Sequence, residues 1–206
     1  MSFYENHVLP HLIGLACGAP QIMKKRSQIV PAAQGRVLEV GFGAGPNLEF
    51  YDPDKVSLLF ALEPSEGMRR KAAKALAQSP VETEVIDLSA EQIPLDDDSM
   101  DTVVLTYTAC TIPDANAALA EMRRVLKPGG RLLFSEHGRA PDEAVYKWQR
   151  RIEPVWKPIA GGCHLTRKID ALITGAGFAI ERMEADYLPK SPKFAAFNYS
   201  GAARIK

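Results

Sequence analysis

From Arg36 onward the chain alternates between two patterns. Short continuous apolar runs (RVLEVG, SLLFALEP, TEVIDL, MDTVVLTYT and RLLFSEHG) are separated by stretches of helical periodicity. Continuous runs suit parallel strands buried on both faces, because a strand with one wet face alternates apolar and polar positions. Between the runs, Ser65 is placed to cap EGMRRKAAKALAQ. Asp114 is placed to cap ANAALAEMRRVL, whose Ala115, Ala118, Leu119, Met122 and Val125 share one face. Pro128-Gly129-Gly130 is expected to stop that helix and turn the chain into the next strand. Thr166 is expected to cap a further helix around Ile169, Leu172 and Ile173, ended by Gly175 and Gly177. Two closing β-like runs, FAIERMEADYL and NYSGAARI, predict an antiparallel hairpin. The whole pattern predicts an α/β fold with a doubly wound, mostly parallel sheet of seven strands. Ligands of such sheets bind beyond the carboxyl ends of the strands. Residues 1–34 read as a helical extension before a domain of residues 35–206, and residues 139–165 as an aromatic-bearing insertion on its substrate side.

A chain of 206 residues suits one well-cored domain, and its 25 basic residues balance 25 acidic ones. That balance argues against nucleic acid as a partner, since such binders carry surplus Lys and Arg. The basic clusters Lys24-Lys25-Arg26, Arg69-Arg70-Lys71 and Arg123-Arg124 are dispersed over helical stretches and read as solvated faces. Cys17, Cys110 and Cys163 lie far apart without a C-x-x-C pair, which suggests reduced thiols in a cytoplasmic protein. No signal peptide is read at the N-terminus, and VLPHLIGLACGAP is too short to span a bilayer. Stable membrane insertion is therefore not expected, while peripheral lipid contact stays open, as does the choice between monomer and homodimer.

The candidate chemistry starts at VLEVGFGAGP. Gly41, Gly43 and Gly45 follow an apolar run directly, so backbone N–H groups there can approach a ligand, with a helix N-terminus expected behind them. The dinucleotide template G-x-G-x-x-G fails because Pro46 follows Gly45, and no G-K-[ST] completes a P-loop. Glu39, just before the turn, would repel a pyrophosphate and suit a cationic ligand. Glu63, ending the next run, can accept both hydroxyls of a ribose. A ribose and a positive centre without phosphate describe S-adenosylmethionine (SAM).

In these features the sequence resembles the class I SAM-dependent methyltransferases of the small-molecule branch. LEVGFGAG matches their first motif, LEPSEGM their second, SAEQIPLDDDSMDTVV the third and fourth, and EMRRVLKPGGRLLFSEH the helix and turn that follow. The resemblance implies a Rossmann-like methyltransferase fold with an N-terminal lid, and SAM as cofactor with S-adenosylhomocysteine as product. It implies that Glu39 and the Gly41, Gly43 and Gly45 backbone face the methionyl part of SAM. Glu63 would hold the ribose, beside Pro64, Ser65 and Met68. Ser89, Ala90 and Glu91 would flank the adenine, with Ser89 standing where many relatives have Asp, and Thr106 and Tyr107 would lie beside the sulfonium.

NLEFYDP, Glu136-His137, WQRRIEPVWKPIAGGCHLTR and YSGAARI, in this order, further resemble the thiol S-methyltransferase subgroup and its bacterial relatives. This implies a small, hydrophobic thiol acceptor. The alternatives are a phospholipid head group or quinone-like ring as acceptor, or a non-catalytic SAM-binding sensor. His137 is the candidate general base for an acceptor that must lose a proton, or else a His hydrogen-bonded into a loop. Tyr107 orients the acceptor or shapes the wall. Cys110 and Cys163 read as buried structural thiols. His164 beside Cys163 has no further ligand at metal spacing, so no metal is expected. Trp148 and Trp156 either roof the acceptor pocket or, the safer reading, pack the insertion onto the core. His7 and His11 are placed on the lid surface.

Overall fold

A computed structural model describes residues 9–206; His7 lies outside the described residues. Two helices, α1 (Leu9–Cys17) and α2 (Pro20–Ile29), precede the sheet, and α2 starts with Pro20 in its first turn, where a missing N–H costs nothing. The strands are β1 (Gly35–Val40), β2 (Val56–Leu62), β3 (Thr83–Ile86), β4 (Met100–Thr106), β5 (Leu126–His137), β6 (Phe178–Tyr187) and β7 (Phe197–Ile205). They form one seven-stranded sheet in the order β3-β2-β1-β4-β5-β7-β6. The first five pair in parallel, and β7 runs antiparallel to both β5 and β6. The expected α/β sheet and C-terminal hairpin are both present, with Tyr187 opposite Phe197 at the hairpin's turn end.

Period-two geometry sends successive strand residues to opposite faces, and here each face has its own core. Leu38, Val40, Phe60, Leu62, Val103, Leu105, Leu132 and Phe134 face one core. That core also takes α4 (Ala115–Val125) and α6 (Ile169–Gly175). Val37, Leu59, Ala61, Val104 and Leu133 face the other, with Ile29 of α2 and Ala72 of α3 (Glu66–Leu76). Burial on both faces explains why the central strands read as unbroken apolar runs.

The helix caps follow the sequence in two cases. Ser65 accepts from Met68 N–H, and Asp114 from the N–H groups of Asn116 and Ala117. All five apolar α4 positions are buried. Three expectations are corrected. Thr166 does not cap α6, which starts after Lys168; its N–H and hydroxyl both donate to Glu153 instead. Pro128-Gly129-Gly130 does not separate helix from strand. Here β5 already begins at Leu126, and the three residues form a bulge within it, between the pairs Met100–Leu126 and Thr102–Arg131, with Gly129 at φ 84°. The Lys24–Arg26 cluster is not a solvated face: Lys25 and Arg26 are buried, with Lys25 paired to Glu184 and Asp186 of β6.

Residues 139–165 carry α5 (Glu143–Ile159), which contains Pro154 and Pro158. A short α7 (Lys193–Ala196) precedes β7. Among the described residues no helix is long and apolar enough to cross a membrane.

Candidate active site

The order β2-β1-β4 places strands that run onward to opposite sides of β1, so a crevice opens between the carboxyl ends of β1 and β4. The glycine turn lies on that edge. Gly41 has φ 72°, and a Cβ there would sit 2.1 Å from Thr108 Cγ2, so the close approach to the β4 loop requires glycine. Gly43 has φ 61°, and its N–H donates to Glu63 Oε2 at 2.8 Å. Glu63 Oε1 accepts from Ser65 N–H at 2.9 Å, so the carboxylate splints the turn to the start of α3. No α-helix follows the turn, contrary to expectation; the chain makes a single 3-10 turn, Leu48–Phe50. Asn47 and Tyr51, on either side of it, are drawn inward onto Glu39.

A cavity of 260 Å³ occupies this edge. It is lined by Gly41, Gly43, Glu63, Met68, Thr106 and Tyr107, together with Arg26 of α2 and the Leu9, Pro10, Ile13 and Cys17 side of α1. A second lobe of 140 Å³ is lined by Pro64, Ser89, Ala90, Glu91 and Ile112. The two lobes share Gly41, Glu63, Thr108 and Thr111. Eleven of the residues given a place at the site in the sequence, Ser65 among them, therefore surround one bilobed space. Gly45, Glu39 and His137 line neither lobe. Gly45 (φ 78°) instead lies against Phe42 and Leu48, where a Cβ would meet both side chains within 3.1 Å.

Glu39 sits on the apolar face of β1, opposite Ala61 and Val104. Its carboxylate accepts from Tyr51 OH at 2.6 Å and from Asn47 Nδ2 at 3.0 Å. Burial holds its pKa up at about 7, against the lowering effect of Tyr51, Arg26 and Asn47. Asn47 Oδ1 in turn accepts from Arg26 Nη1 at 2.8 Å, and Arg26 Nη1 also donates to Thr106 Oγ1 at 2.6 Å. The guanidinium reaches the cavity with its ring neighbour Tyr107 at 5.1 Å, while its buried Nε has no protein partner. Arg26 was missed in the sequence because its only signal there, a basic triplet on a helix, is that of a solvated surface.

Tyr107 has φ 54°, a strained value for a non-glycine residue, where β4 turns back over the edge. Its phenol receives a 3.5 Å contact from Ser135 Oγ, and burial pushes its pKa well up. His137 ends β5 behind this wall. Its Nε2 lies 3.2 Å from Cys163 Sγ, and Cys110 joins the same cluster. His164 points elsewhere, to Glu153 Oε1 at 3.3 Å. Neither tryptophan lines the cavity. Trp148 is 60% exposed, so it does not pack on the core either, whereas Trp156 meets Phe194 edge-on at 5.6 Å.

The chain matches the methyltransferase domain family over residues 38–134. It is 37% identical over 153 residues to thiol S-methyltransferase TMT1B of Rattus norvegicus, covering 72% of this chain and 62% of that protein. To its Homo sapiens counterpart it is 36% identical over 185 residues, covering 82% and 75%. A SAM-dependent methyltransferase structure from Leishmania major superposes with a TM-score of 0.70 at 18% identity, covering 98% of this chain and 80% of the other. The methyl donor of the family is SAM, and the cavity suits it. The Arg26 guanidinium on the cavity wall suits the carboxylate of an amino-acid group, and the Glu63 carboxylate on the same wall suits ribose hydroxyls. The smaller lobe supplies the apolar Leu62, Ala90 and Ile112 for a flat base. The chain belongs to the SAM-dependent methyltransferases of the methyltransferase domain family.

Proposed function

We propose that the chain methylates a small, apolar thiol. One observation carries this reading: the state of the titratable groups on the wall of the larger lobe. Among the described residues these are Cys17, Arg26, Glu63 and Tyr107. Glu63 is engaged by two backbone N–H groups. Burial pushes the Cys17 thiol and the Tyr107 phenol up, so both stay protonated at neutral pH. None of the four is suited to strip a proton from an amine or phenol. A thiol with a pKa near ~8.5 is a few per cent thiolate at neutral pH and brings its own nucleophile. The likeness to thiol S-methyltransferases supports the same acceptor class.

Bound SAM supplies a methyl group made electrophilic by its sulfonium. The chain's own contribution is alignment and exclusion of water. On this reading Arg26 holds the carboxylate of the donor, Glu63 the ribose, and Ser89, Ala90 and Glu91 the adenine side. Thr106 and Tyr107 shape the edge where the acceptor meets the donor. Glu39 acts at one remove, by fixing Asn47 and through it Arg26. α1 covers the cavity, tied down by Lys71 Nζ donating to Pro10 O at 2.9 Å. Three cysteines without a disulfide suit a reducing, cytoplasmic setting.

The test is release of S-adenosylhomocysteine from SAM over a panel of acceptors: an alkyl thiol, hydrogen sulfide, a catechol, a quinol precursor and dispersed phosphatidylethanolamine. Thiol-dependent turnover supports the reading. Turnover only on the lipid or a ring overturns the acceptor, and SAM binding without turnover on any acceptor points to a non-catalytic SAM-binding role.

A further inference from the structure

Three segments distant in sequence bring sulfur, sulfur and imidazole nitrogen together behind the cavity wall. Cys110 comes from the turn after β4, where Thr111 N–H bonds Thr108 O at 2.9 Å. His137 is the last residue of β5, opposite Asn198. Cys163 follows α5 through Gly161 and Gly162, whose φ values of 60° and 85° let the chain double back. The segments are fastened to each other by backbone. His164 N–H donates to Cys110 O at 2.8 Å, and Arg167 donates to Ala109 O. Cys110 and Cys163 are both buried. Their sulfurs and a His137 ring nitrogen lie within 4.8 Å of one another, and Cys163 Sγ is 3.2 Å from His137 Nε2.

We propose that Cys110, His137 and Cys163 form a three-ligand site for a single Zn²⁺ ion. Zinc binds sulfur at roughly 2.3 Å and imidazole nitrogen at roughly 2.0–2.1 Å, which sets tetrahedral ligand–ligand edges at about 3.5–3.8 Å. The Cys163–His137 spacing of 3.2 Å is close to those edges and all three donor atoms lie within 4.8 Å of one another, so the site closes by side-chain rotation. Two soft thiols with one imidazole are a donor set that selects zinc over oxygen-loving magnesium or calcium. Three protein ligands leave a fourth position for water or a thiol. Thr111 and Gly161, one and two residues from Cys110 and Cys163, line the larger lobe, so the ion would sit directly behind that wall. The site stands on this geometry whether or not the acceptor is a thiol.

The full chain, kept under a non-chelating reductant and stripped of metal, would be titrated with Zn²⁺ against a chromophoric chelator and separately with Co²⁺. One Zn²⁺ per chain and a Co²⁺ spectrum with a thiolate charge-transfer band and tetrahedral visible bands are expected. Cys163→Ser, Cys110→Ser and His137→Gln should each weaken the site at least tenfold, while Cys17→Ser keeps one ion per chain. If a site variant does not fold, a rise in the wild-type melting temperature with one equivalent of Zn²⁺ serves in its place. Lack of stoichiometric binding, a cobalt spectrum without thiolate bands, or a Cys110–Cys163 disulfide under reductant would overturn the proposal.

Discussion

At the scale of single residues, the site turns on two oppositely charged groups, Arg26 and Glu63, facing one space. Arg26→Met should weaken SAM binding by about 1.5–3 kcal/mol, the range for a hydrogen bond to a charged group. Calorimetry on the folded variant checks this, and unchanged affinity would remove Arg26 from the donor site. Glu63→Ala should cost a similar amount, again about 1.5–3 kcal/mol. Here a second effect enters, because the same carboxylate holds the N–H groups of Gly43 and Ser65. Glu63→Gln keeps one acceptor oxygen, so it should fall between wild type and Ala in the same titration. A ranking with Gln as weak as Ala would mean that charge outweighs turn support. The position of Glu63 on the cavity wall was legible in the sequence, because it ends the strand after a glycine turn. Arg26 was not, since nothing local distinguishes a buried arginine from an exposed one.

The elements show where local signals suffice. Asp114 caps α4 with two hydrogen bonds to backbone N–H, and Asp114→Ala should cost about 1 kcal/mol of stability. Urea unfolding would show this as a lower midpoint at unchanged slope. Thr166 is the instructive failure. Thr166 precedes an apolar helical run, yet the helix starts only at Ile169, and Thr166 is held outside it by donating its N–H and hydroxyl to the carboxylate of Glu153 in α5. Likewise Pro128-Gly129-Gly130 carries every mark of a break, but pairing with β4 begins before it, and the sheet absorbs it as a bulge. α1, expected from the resemblance as part of an N-terminal lid, lines the cavity, with Leu9 beside Gly161 and Lys71 Nζ donating to Pro10 O.

For the whole molecule, the buried Glu39 couples stability to pH. Its pKa is about 7 when folded, above the ordinary 4.5, because burial penalises the charge. Between those values the folded state holds a proton that the unfolded state releases. Its stabilising contribution is therefore fully present below about pH 4.5 and lost as pH rises through about 7. Thermal melts of wild type should fall more steeply from pH 5 to pH 8 than melts of Glu39→Gln. Parallel slopes would mean that Tyr51, Asn47 and Arg26 keep the carboxylate charged throughout. In either case Glu39 reports on the network that positions Arg26, and so links the stability of the domain to the donor site.

The sequence by itself determined the alternation of strands and helices, the C-terminal hairpin, and the glycine turn with Glu63 at the end of the next strand; these follow from period, chain order and turn chemistry, which are local. The placing of Ser89–Glu91, Thr106 and Tyr107 came from the likeness to a family, and the structure puts them on the walls of the two lobes. Only the tertiary structure decided that Glu39 is an interior anchor instead of a wall, that Arg26 enters the cavity, and that Cys110, His137 and Cys163 converge. Each of those depends on which segments the folded sheet brings side by side, and separation along the chain carries no record of that.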